Sequence, residues 1–192
     1  MRSRRWAPRA AVVALTLVAR VSVADDDDRS ISTFETKPTA IYGVVGLGTP
    51  VGAIGAEVEE TVMPNWSLSA GLGWGMANAP QASAMIRWLG GGLRSKVTIG
   101  GCVSGGKYKW TEFCFDCDDG PVTKSGTVAW GNLEMGGEHR FWSGIAFRYF
   151  AGYGHVVAGD VACGAGSPAC TDRDAKDAHT AGYTGFAFGG AF

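Results

Sequence analysis

The decisive feature is a ten-residue segment, Trp66-Ser-Leu-Ser-Ala-Gly-Leu-Gly-Trp-Gly75, in which large apolar and small polar residues alternate without a break. A strand sends successive side chains to opposite faces, so Trp66, Leu68, Ala70, Leu72 and Trp74 share one side. The other side carries only Ser67, Ser69, Gly71, Gly73 and Gly75. A two-tryptophan stripe with small polar residues behind it suits a wall between grease and a crowded interior. The pattern recurs. Candidate strands are Ala40–Leu47, Val51–Val62, Trp66–Met76, Ala82–Leu89, Lys96–Lys107, Thr127–Glu138, Gly144–Ala158 and Ala181–Phe192. Eight is an even number, as an up-and-down antiparallel barrel with both termini at one end requires.

Parity places the charges. Ala84, Ile86 and Trp88 oppose Ser83, Met85 and Arg87. Leu133 and Met135 oppose Asn132, Glu134 and Glu138. Ile145, Phe147 and Tyr149 oppose Arg148. Each mid-strand charge therefore falls on the small, polar face. A charge facing lipid near mid-bilayer costs about 2–4 kcal/mol. An eight-stranded barrel is just wide enough for its own side chains to fill it. Buried charges need partners, so the expected lumen network joins Glu57, Glu59 and Glu134 to Arg87 and Arg148. Trp66, Trp74, Trp88, Phe186, Phe188 and Phe192 are expected to meet lipid. The expected fold is all-β, an eight-stranded antiparallel up-and-down transmembrane β-barrel.

The start of the chain reads as an export signal. Arg2, Arg4, Arg5 and Arg9 precede the short apolar run Ala10–Ala19, and Ser22-Val23-Ala24 offers a cleavage site. Residues 1–24 are thus expected to be removed, 25–39 to form an acidic linker, and 40–192 the barrel. Removing five arginines takes the net charge from -1 to near -6. No basic stripe remains, which excludes nucleic acid as an expected partner. Glycine is 30 of 192 residues without a collagen period, as expected where a curved wall must relieve crowding.

The short links, Met63–Asn65, Gly90–Ser95 and His139–Ser143, fall at one rim. The long polar links, Tyr108–Gly126 and Gly159–Thr180, fall at the other and hold four of the five cysteines. Exported proteins favour disulfides. Cys163 and Cys170 bracket a turn and are expected to staple the last outer loop. Cys114 and Cys117 either close a tight loop or cross-bridge to it, and spacing leaves both open. A redox or zinc reading lacks a second Cys-x-x-Cys and paired histidines. Cys102 points inward as a buried thiol. Gly101–Lys107 fits G-x-x-x-x-G-K, but Tyr108 follows and no helix begins there, so a nucleotide loop is not expected. The acidic loop residues Asp116, Asp118, Asp119, Asp172 and Asp174 read as solvated charge. No metal, cofactor or catalytic residue is expected; His155 near Asp160 is read as a polar rim.

These segments resemble the small outer-membrane β-barrel superfamily, the OmpA-type transmembrane domain and opacity-type surface proteins. The resemblance covers Ala40–Phe192 and is most specific in the aromatic strand ending at Phe192. It departs from the family pattern at Gly190, where a bulkier apolar residue is usual. It implies recognition of that strand by the barrel-assembly machinery, an outer-membrane location in a Gram-negative envelope, and outer-membrane lipid as a partner. The expected function is a non-enzymatic barrel with a plugged lumen, its surface loops serving adhesion, recognition or envelope integrity through an unidentified ligand. The alternatives are a barrel enzyme acting on lipid or peptide at the outer rim, or a soluble exported lipocalin-like binder.

Overall fold

The structure, a computed structural model, describes residues 31–75, 79–112, 122–163 and 179–192. A single helical turn, α1 (Thr33–Thr36), leads into β1 (Thr39–Thr49), β2 (Gly52–Met63), β3 (Trp66–Gly75), β4 (Ala79–Gly91), β5 (Ser95–Glu112), β6 (Val122–Arg140), β7 (Ile145–Cys163) and β8 (Thr180–Ala191). Each strand pairs with the next, and β1 pairs with β8, so the sheet is a closed antiparallel barrel. All eight expected strands are present. No helix among the described residues is long and apolar enough to cross a membrane.

Period two governs the burial. Along β3 exposed and buried residues alternate from Trp66 to Gly73. The result is inside-out relative to a water-soluble protein. Leu72, Leu133 and Phe188 are 69%, 71% and 64% exposed, whereas Arg87, Arg140 and Arg148 are at most 1% exposed. Trp66, Trp74, Trp88, Phe186 and Phe192 also face outward. Trp66 and Trp88 are register partners near the short turns. Trp74 lies eight residues further up β3, about 27 Å along the strand.

Glycine makes close approaches possible. Gly189 packs against the Ile41 carbonyl across the β1–β8 pairing, leaving no room for a Cβ. Gly144 turns the chain between β6 and β7 with φ +91°, a conformation that glycine adopts at no steric cost.

The rims differ from expectation in one respect. Strand reaches into both expected links: β5 runs to Glu112 and β6 starts at Val122 within Tyr108–Gly126, and β7 runs to Cys163 within Gly159–Thr180. β5 and β6 stay paired from Ser95↔His139 to Glu112↔Val122, and β6 and β7 up to Lys124↔Cys163. The last β4–β5 pair is Gln81↔Gly106, so β5 continues six residues higher, about 20 Å. These extensions are short and mixed in character, Lys109 and Thr111 alternating with Tyr108, Trp110 and Glu112 in β5, so alternation carries little hydrophobic signal there. A bulge at Val157, set against the Ala129/Trp130 step in β6, marks where β7 leaves the barrel wall; bulges of this kind bend a strand and increase its twist.

Candidate functional site

Two kinds of side chain fill the lumen. Tyr42, Val44, Val51, Phe150, Tyr183 and small alanines form an apolar cluster centred on β1, β7 and β8. The charged cluster draws on β2, β4, β6 and β7. Arg87, from β4, donates through Nη1 to Glu57 Oε1 at 2.8 Å, Glu59 Oε2 at 2.7 Å and Ser69 Oγ at 2.8 Å. Its Nε donates to Glu134 Oε1 at 3.1 Å. Arg148, from β7, spans the lumen to Glu59 Oε2 and Glu57 Oε2, both at 2.8 Å. The guanidinium also lies over the Tyr42 ring, 4.8 Å from its centroid. The five residues expected to neutralise one another are therefore one connected network.

Arg140 and Tyr42 join the network without having been expected there, and Glu138, already on the polar face by parity, joins with them. Arg140 donates to Glu59 Oε1 and Glu138 Oε1, each at 2.7 Å. Tyr42 donates its hydroxyl proton to the same Glu138 oxygen at 2.7 Å. Arg140 lies in the expected turn His139–Ser143, two residues beyond the expected strand end at Glu138. Extending the alternation Glu134, Gly136, Glu138 by one more step would have found it. Glu59 thus receives three arginines. Such a fully desolvated carboxylate is tolerable only with excellent geometry and several donors.

Below this cluster the segment 31–38 closes the mouth on the short-turn side. Ser32 caps α1, accepting from Phe34 N at 3.2 Å, and donates its hydroxyl to Leu93 O at 2.8 Å. Thr33 N and Thr33 Oγ1 both donate to the same carbonyl. Phe34 is fully buried, with the Arg140 guanidinium 4.3 Å from its ring centroid. Arg140 Nη1 donates to Lys37 O and Pro38 O. One arginine therefore joins the cap to the ion cluster. Residues read in the sequence as the end of a linker serve here as a stopper. The Lys96 amine also lies near this cap, 5.7 Å from the Phe34 ring centroid.

At the tall rim His155 Nδ1 and Thr180 Oγ1 are 3.2 Å apart, and His179 Nε2 lies 3.5 Å from Asp160 Oδ1. The expected His155–Asp160 neighbourhood thus resolves into two separate contacts. Among the described residues no group of three or more His, Cys, Asp or Glu could hold a metal ion. Cys102 is a buried free thiol, with Asn132 Nδ2 3.7 Å from its sulfur. Cys114, Cys117 and Cys170, the side chain of Cys163, the acidic loop residues and the whole signal region lie outside the described residues.

No family model matches the chain, and no curated protein matches its sequence.

Proposed function

We propose that this chain is a non-enzymatic outer-membrane β-barrel whose lumen is plugged by its own side chains, with the β5–β7 extension as its surface-exposed recognition element. The observation that carries the reading is the inverted burial: a belt of exposed Leu, Val, Ile, Phe and Trp around a lumen of buried Arg and Glu. A continuous apolar belt is not stable in water and fits a lipid phase. A lipocalin-like binder would carry the opposite arrangement, with apolar side chains inward and polar ones outward. The short-turn rim with its cap then faces the periplasm and the tall rim faces outward. Loops and extensions on a rigid barrel are where recognition usually lives, so adhesion, recognition or envelope integrity is assigned there. The C-terminal strand is the proposed handle for the assembly machinery, and the signal region the route of export.

Fractionation of cells expressing the full chain tests the reading. The protein should pellet with outer membranes, require detergent for extraction, and migrate differently on gels before and after boiling. Recovery from the aqueous periplasm without detergent would overturn it. Alanine at His155 should leave envelope lipid composition unchanged; an altered lipid profile would favour the enzyme reading instead.

A further inference from the structure

The outer wall carries a depression of about 700 Å³ between β3 and β6. Leu68, Ile86, Val103 and Leu133 frame it, and Gly101 and Gly131 leave its floor bare. A Cβ built at Gly101 would meet nothing within 4 Å. Open space at a glycine means that neither packing nor close backbone approach demands glycine there. The next level up stays shallow, because Ala82, Gly105, Ala129 and Ala158 follow one another in register across β4, β5, β6 and β7. Lys107, exposed and paired with Thr127, stands one step above Gly105 on the same face of β5. The carboxylate at that level, Asp160, lies two strands away and is engaged by His179.

Depth ties the two features together. Gly101 and Val103 lie six and four residues below Lys107, about 13–20 Å along the strand. A strand tilt of about 40° reduces this to about 10–15 Å of depth. One leaflet of a ~30 Å hydrocarbon core is about 15 Å thick. A lipid with its headgroup beside Lys107 would therefore bring its acyl tail into the depression.

We infer that this groove seats the acyl chain of an anionic, phosphate-bearing lipid of the outer leaflet, with Lys107 pairing its phosphate. The inference rests on the membrane placement proposed above. Its chemistry is ordinary: an apolar tail fills an apolar recess, and an ammonium offers a compact charge to a phosphate.

The test uses the full chain without its signal, folded into vesicles of phosphatidylethanolamine and phosphatidylglycerol. Flotation comes first. A protein that stays in the aqueous layer refutes the membrane reading itself. For protein that floats, native mass spectrometry after detergent extraction reads the retained lipid. The wild type should keep phosphatidylglycerol in preference to phosphatidylethanolamine. Gly101→Leu starts from a Cβ that meets nothing within 4 Å and occupies the recess with its side chain, and should lower retention of any lipid at least tenfold. Lys107→Gln should retain lipid but lose the preference. Equal retention in all three proteins overturns the inference. So does a crosslinked dimer abolished by Gly101→Leu, which would assign the groove to a second copy.

Discussion

Glu138 and Arg148 are direct register partners across β6 and β7, yet the Arg148 guanidinium turns from its neighbour and crosses the lumen to Glu57 and Glu59. Glu138 is served instead by Arg140 and Tyr42. The pairing therefore runs across the barrel rather than along the wall, and ties β7 to β2. Replacing Arg148 with Met should destabilise the folded protein by about 3–5 kcal/mol, because two buried carboxylates each lose a donor. Urea titration followed by tryptophan fluorescence reads this directly. Arg148→Lys should recover only part of the loss, since one ammonium lacks the fork that reaches both carboxylates. A Met variant within 1 kcal/mol of wild type would mean that the network is dispensable.

The outward face should punish charge according to height. Ala70 lies midway between Trp66 and Trp74, and Ala70→Arg should cost about 2–4 kcal/mol in a bilayer. Thr127→Arg, above the belt, should stay within about 0.5 kcal/mol, as for an ordinary surface change. Equal costs at both positions would be incompatible with a lipid-embedded wall.

The stopper should loosen independently of the barrel. Phe34→Ala removes the ring beneath Arg140 and should raise hydrogen exchange at Thr33 and Lys37, whose amides bond to Leu93 O and Thr33 O. Strand amides should keep their protection, because local openings cost less than global unfolding. Conductance in a planar bilayer should stay near zero, since the ion cluster still fills the lumen above. Large steady currents in this variant would show that the cap alone seals the barrel.

Cysteine chemistry offers a separate check. Peptide mass spectrometry without reduction should recover Cys163 linked to Cys170. Cys102, buried beside Asn132, should resist maleimide in the folded protein and react fully in denaturant. A Cys102 that couples readily in the folded state would place it outside the sealed lumen.

The wall was legible in the sequence because each strand carries its own two-sided pattern. Ser67 and Ser69 set against Leu68 and Ala70 define a face without any tertiary knowledge. The same rule located Glu57, Glu59, Arg87, Glu134 and Arg148 in one interior. It fell short where one side of the contrast vanishes. Lys107 to Glu112 and Val122 to Ser125 are polar or mixed on both faces, so their sequence looks like a loop. Arg140 was lost through a strand ended two residues early. The cap was hidden for another reason. Four helical residues have no readable period, and the cap is placed by Leu93, which accepts from Ser32 and Thr33, and by Lys96 and Arg140 beside Phe34, all distant in sequence.

Residue 40 lies beside residue 191 in the finished cylinder. Without β8 paired to β1, the sheet would keep two raw margins, each able to pair with any passing strand. Closure depends on the contact most remote in sequence, the slowest kind to find. The ring therefore cannot shut before β8 is available to pair with β1, however early the other seven strands are made.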